Sequence, residues 1–143
     1  MKYIKMLFST LLMISIFCFT AVTFTGCDKK DDDHHSGPDT QAPVFNITSP
    51  TPMQVFNNGD TVFLRGTLTD DKSLHDLEIL IKNADNDSTL FSLSQSVHDL
   101  TSYNIDFFWK SSVSDHTNAH VIFMAEDHGG NIGRDTVHIH IMP

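Results

Sequence analysis

The sequence predicts an all-β fold, a sandwich of two antiparallel sheets made from about seven short strands. Three observations point to it. Beyond Thr40, apolar residues alternate with polar ones in short runs, and no long stretch carries the helical period. Clusters of Pro, Gly, Asn, Asp and Ser interrupt those runs at short intervals, as turns between strands require. A chain of 143 residues supports one domain with one core, which excludes a large multi-domain enzyme.

Taken in order, residues 1–5 are short and basic, residues 6–22 are almost wholly apolar, and Phe24-Thr25-Gly26-Cys27 closes the segment with small residues before a cysteine. This order of signals resembles the signal peptide and lipobox of bacterial lipoproteins. The apolar run is also about as long as the shortest transmembrane span, so a plain membrane anchor is the competing reading. In the lipoprotein reading residues 1–26 are removed and Cys27 is acylated, each buried methylene of its lipid adding about 0.8 kcal/mol of membrane affinity. Cys18 falls within the discarded run, so the mature chain has no disulfide. Residues 27–39 are acidic and hold no side chain able to join a core, which makes them a solvated tether. An acidic run just after the lipidated cysteine resembles the surface-export signal of Bacteroidetes lipoproteins. The expected location is therefore the outer membrane, facing the cell exterior.

Residues 40–143 form the predicted sandwich. Residues 43–48 read as the first strand, stopped by Ser49-Pro50-Thr51-Pro52. The turn Asn57-Asn58-Gly59-Asp60 leads into Thr61–Thr69, with Val62, Leu64 and Leu68 on one face. Leu77, Ile79 and Ile81 alternate through the next strand, which ends in Asn83-Ala84-Asp85-Asn86-Asp87, and residues 89–93 form a shorter one. Ser102–Lys110 sets Tyr103, Ile105, Phe107 and Trp109 on one face, and residues 119–127 do the same with Val121, Phe123 and Ala125. After His128-Gly129-Gly130-Asn131 the last strand offers Val137, Ile139 and Ile141. This count and spacing predict an immunoglobulin-like sandwich, held by packing alone because the cysteine pair of antibody domains is absent.

Two stretches carry a further resemblance. Asp39-Thr40-Gln41-Ala42-Pro43-Val44-Phe45 is similar to the Asp-x-x-Ala-Pro-x-Phe start of cadherin-like and fibronectin-like modules, and Ala125-Glu126-Asp127-His128-Gly129 is similar to their Ala-x-Asp-x-Gly turn. With the lipobox, the chain resembles small Bacteroidetes lipoproteins that carry one such domain and have no known function. The Asp-Arg-Glu and Asn-Asp-Asn calcium motifs of cadherins are missing.

A formal charge of -9 excludes a nucleic-acid partner, since phosphate binding needs a basic footprint. The sequence holds no G-x-S-x-G, H-E-x-x-H, glycine-rich phosphate loop or C-x-x-C, so a non-enzymatic role is expected. His75-Asp76 and His98-Asp99 pair a base with a carboxylate, but neighbours on an extended chain point to opposite sides, so both read as loop polarity.

Two metal sets remain. Sandwich topology brings Asp39, Asp70, Asp71, Asp127 and Asn131 to one pole, where oxygen ligands suit calcium. His120, His138 and His140 face outward on two adjoining strands, with a Gly129-Gly130-Asn131 loop setting His120 opposite His140, within reach of one zinc or copper ion. Leu80, Ile122 and Met124 share that outer face, and Phe63 and Phe108 face outward on the opposite sheet. An outward apolar strip marks a partner surface. The expected role is contact: a lipid-anchored surface protein binding a protein or glycan, with metal binding as the alternative.

Overall fold

A computed structural model describes residues 37–143, so the leader, Cys27 and most of the tether expected at 27–39 lie outside the described residues. Eight strands form two sheets: β1 (Val44–Ser49), β2 (Gln54–Asn57), β3 (Thr61–Thr69), β4 (Leu74–Asn83), β5 (Thr89–Ser96), β6 (Ser102–Lys110), β7 (Thr117–Asp127) and β8 (Ile132–Met142). No helix occurs among the described residues. One sheet has the order β1-β3-β6 and the other β2-β8-β7-β4-β5. The all-β sandwich expected from the alternation is the architecture observed.

The period-two pattern places the core. In β3 every second residue, Val62, Leu64, Gly66 and Leu68, is buried, and its neighbours are exposed. These side chains meet Ile105 of β6 and, from the facing sheet, Leu77, Ile79, Ile81, Val121, Phe123, Ile139 and Ile141. Each such side chain taken from water contributes about 1.5–3 kcal/mol. Two aromatic contacts tie the sheets together. Phe45 of β1 meets Phe123 of β7 at 6.1 Å between ring centroids, and Phe91 of β5 meets Trp109 of β6 at 6.5 Å. Tyr103, Phe107 and Trp109 are only partly buried because β6 is an edge strand, whereas Ile105 is fully covered.

The strand count exceeds the expected seven by one. At Ser49-Pro50-Thr51-Pro52 the chain leaves the first sheet and crosses to the second, where β2 pairs in parallel with β8. Only Phe56 of β2 is buried, so the strand has too few apolar positions to stand out in the sequence. Its placement depends on bonds to the distant C-terminus, among them Met53 N–H to the His138 carbonyl at 2.7 Å and Asn58 N–H to that of Met142 at 2.7 Å. β5 is also longer than the expected 89–93, because its pairing with β4 continues as far as Asp76↔Ser96.

Gly133 sets the geometry of the first-strand approach. A Cβ there would collide with the carbonyl oxygen of Pro43. The backbone just before β1 therefore lies directly against the start of β8, and Asp39, four residues earlier, is delivered beside the β7–β8 loop.

Candidate metal centre

One pole of the sandwich gathers the approach to β1, the β3–β4 loop, the β5–β6 loop and the β7–β8 loop. Within it Asp39, Asp70 and Asp127 bring one carboxylate oxygen each to within 4.8 Å of one another. Two oxygens on opposite sides of a calcium ion, at about 2.4 Å each, lie at most about 4.8 Å apart. Three of the five oxygen-bearing residues expected at this pole thus converge on a single point.

Each carboxylate is positioned by its own turn. Asp70 Oδ1 accepts the backbone N–H groups of Lys72 at 2.9 Å and Ser73 at 2.8 Å, which fixes the side chain at the start of the β3–β4 loop. Its Oδ2 is buried and has no hydrogen-bond partner. Asp39 Oδ1 accepts the Gln41 N–H at 3.2 Å. Asp127 is 2% exposed, and its two oxygens accept the Asn131 backbone N–H at 2.9 Å and the Asn131 Nδ2 at 2.8 Å. Burial alone would raise the Asp127 carboxyl. The hydrogen bonds from the Asn131 side chain and backbone and from the Gly129 and Gly130 backbones together outweigh it and hold the group below the ordinary carboxylate range. It is therefore an anion at neutral pH despite its burial.

The other two expected ligands are hydrogen-bonded at the same pole. Asn131 braces Asp127, and Asp71 Oδ2 accepts Gln41 Nε2 at 3.0 Å. Among the described residues no Lys or Arg forms an ion pair with the three carboxylates. Lys72 of the β3–β4 loop gives its Nζ to the Gly37 carbonyl at 2.6 Å. Three carboxylates, one buried and two half-buried, lie close together, an arrangement that a divalent cation favours. Each ionised carboxylate oxygen has more than one lone-pair direction, so the bonds from Asn131 leave Asp127 able to ligate.

The outward histidines are arranged differently from the expectation. The turn is His128-Gly129-Gly130, closed by Asp127 N–H to the Asn131 carbonyl at 3.1 Å with Gly130 at φ +80°, not Gly129-Gly130-Asn131. The register therefore sets His120 opposite His138, with ring centroids 4.3 Å apart, and His140 opposite Asn118. His140 Nδ1 is 2.8 Å from Asn118 Oδ1, and its ring stacks near His116 at 6.0 Å. Two of the three rings meet and the third is engaged elsewhere.

The reading of His75-Asp76 and His98-Asp99 as diverging pairs is also corrected. A β-bulge between Leu74 and Asp76 breaks the alternation, and His75 Nδ1 lies 3.0 Å from Asp76 Oδ2. His98 Nε2 is 3.5 Å from Asp99 Oδ2. Both histidines join His128 at this same pole.

On the outer faces Leu80 lies across from Ile122, which is 6% exposed, and Leu80 and Met124 are half-buried, so that strip is recessed. Phe63 and Phe108 are cross-strand partners, 41% and 66% exposed, and the Arg65 guanidinium sits 4.2 Å from the centre of the Phe63 ring.

No protein-family model and no curated protein matches the chain. Among solved structures it is similar to Spo0M, a sporulation control protein from Bacillus subtilis, with a TM-score of 0.51 and 12% sequence identity over 73% of this chain. The matched region is 51% of that protein, so the chain spans about half of its length. At this identity the likeness shows a common fold alone.

Proposed function

We propose that the chain is a non-enzymatic, lipid-anchored outer-membrane protein whose immunoglobulin-like sandwich binds calcium at the root of its tether. The observation that carries the reading is the approach of three carboxylates, one of which, Asp70, has a buried Oδ2 without a hydrogen-bond partner. A buried charged oxygen without a partner costs several kcal/mol unless something neutralises it, and an oxygen-only donor set is the kind that calcium selects. Asp39 belongs to the chain leading in from the tether, whereas Asp70 and Asp127 belong to the rigid domain. Bound calcium would clamp that chain to the sandwich.

Calcium at about 100 times its dissociation constant stabilises a protein by about 2.7 kcal/mol. Added to the chelated full chain, it is expected to raise Tm by roughly 10 °C, at about 4 °C per kcal/mol. Asp70→Asn removes one of the three charges, so its metal-free Tm should be no lower than that of the wild type and most of the calcium-dependent rise should be lost. An unchanged Tm in the wild-type chain sinks the reading. The anchor is tested separately: with Cys27→Ala the chain should leave the envelope fraction, and continued sedimentation with membranes would refute lipidation at that residue.

The exposed Phe63–Phe108 pair favours a second reading, contact with a protein or glycan. Two adjacent aromatic rings beside the Arg65–Asp106 ion pair, whose Nε–Oδ1 distance is 2.8 Å, offer stacking and hydrogen-bonding groups on one face.

A further inference from the structure

Beside the carboxylates, the same pole holds a second cluster of different chemistry. His128 Nε2 lies 3.0 Å from His98 Nδ1 and 3.6 Å from Asp99 Oδ1, and the two rings have centroids 4.3 Å apart. Each of the three residues places one ligand atom within 4.8 Å of the others. His75 packs edge-on against both rings, with centroids 5.4 Å from His98 and 5.2 Å from His128. Three histidines and a carboxylate thus meet from the start of β4, the β5–β6 loop and the β7–β8 loop.

We propose that this cluster is a binding site for a divalent transition-metal ion of the zinc or copper class, with His98, His128 and Asp99 as ligands. Three observations support it. In tetrahedral zinc coordination with bonds of about 2.0–2.1 Å, adjacent ligand atoms are about 3.3 Å apart. The nitrogen–nitrogen separation of 3.0 Å and the nitrogen–oxygen separation of 3.6 Å lie within a few tenths of an ångström of that edge. The donor set is imidazole with one carboxylate, which suits zinc and copper and not calcium. Finally, His75 has its Nδ1 held by Asp76 at 3.0 Å, which leaves Nε2 as its free nitrogen in the manner of carboxylate-oriented histidine ligands. That makes His75 the candidate for a fourth position.

The side chains remain open to solvent, at 52% exposure for His98, 38% for His128 and 75% for Asp99. A metal there exchanges directly with the medium, and its fourth position falls to His75 or to water. This distinguishes it from the enclosed set that holds a structural zinc. The site is independent of the calcium reading, because the two share no ligand.

The test compares zinc binding to the full chain and to the double variant His98→Ala/His128→Ala, by calorimetry and by the histidine ring resonances. The cysteines, His34, His35 and the His120–His138 pair are common to both proteins, so they cancel in the comparison. The wild-type chain is expected to bind one more equivalent of zinc than the variant, with the His98 and His128 resonances shifting or broadening first. Asp76→Asn should lower affinity at this site about 10–100-fold if His75 completes it. The substituted side chains are exposed, so the variant should keep the metal-free Tm and its response to calcium, which separates failure of this site from failure of the aspartate site. Equal zinc stoichiometry in the two chains, with unmoved His98 and His128 resonances, would leave only a hydrogen-bonded histidine pair and overturn the proposal.

Discussion

Phe123→Ala is expected to destabilise the domain by about 3–5 kcal/mol, the cost of emptying a fully buried aromatic site that its neighbours cannot collapse into. Phe123 is 0% exposed and lies on β7, between β8 and β4 in the five-stranded sheet, with its ring against Phe45 of the facing sheet. The cavity would open between the two layers and remove one of the aromatic contacts that join them. At about 4 °C per kcal/mol, Tm should fall by roughly 12–20 °C. Denaturant unfolding would register it as a lower midpoint at unchanged slope. Phe108→Ala deletes the same ring from a position that is 66% exposed, and should cost no more than about 1 kcal/mol, the worth of its cross-strand pairing with Phe63. Equal losses at the two positions would mean that the layers are not packed as described.

Gly133→Ala is expected to cost about 1–3 kcal/mol by overpacking, and to do so through backbone displacement. The added methyl would strike the Pro43 carbonyl oxygen and sit 3.3 Å from its Cα, neither of which can rotate away. Moving Pro43 moves the segment that carries Asp39, so the variant should lose part of the calcium-dependent rise in Tm as well as stability. Gly130→Ala offers the contrast. Nothing lies within 4 Å of its added Cβ, so its cost comes only from the left-handed φ of +80°. Parallel calcium titrations of the two variants would separate a displaced ligand from simple turn strain. If Gly133→Ala responds to calcium as fully as the wild type, Asp39 does not depend on that backbone contact.

The sandwich itself was legible in the sequence. β3 and β6 match their expected spans, and the inward sets of β4, β7 and β8 are those that the alternation picked out. The pole was legible too, at the level of which loops meet, and it located Asp39, Asp70 and Asp127 together. What was not legible was which side chains inside that pole actually converge. Asp71 occupies the right loop but is bonded to Gln41. Nor did the turn between β7 and β8 announce its boundaries. A shift of one residue at each end of that turn moved His120 from His140 to His138.

Two outcomes resisted sequence reasoning for the same cause. β2 is a strand only because β8 offers it an edge, and the residues that supply that edge lie near the opposite end of the chain. The histidine cluster exists only because a bulge turns His75 back toward its own carboxylate while two distant loops bring His98 and His128 to meet it.

Taken alone, the amino-acid order determined that this chain would be all-β, which side chains would face inward, and that Asp39, Asp70 and Asp127 would meet at one end. Strand period and turn chemistry act over a few neighbouring residues, so they can be read along the chain. Only the tertiary structure decided the register of the last hairpin, the sheet that β2 joins, and the two sets of ligand atoms that come within bonding range of a metal. Those depend on how distant backbones stack and on where single residues bulge. Differences of an ångström or two between loops leave no periodic trace in the sequence.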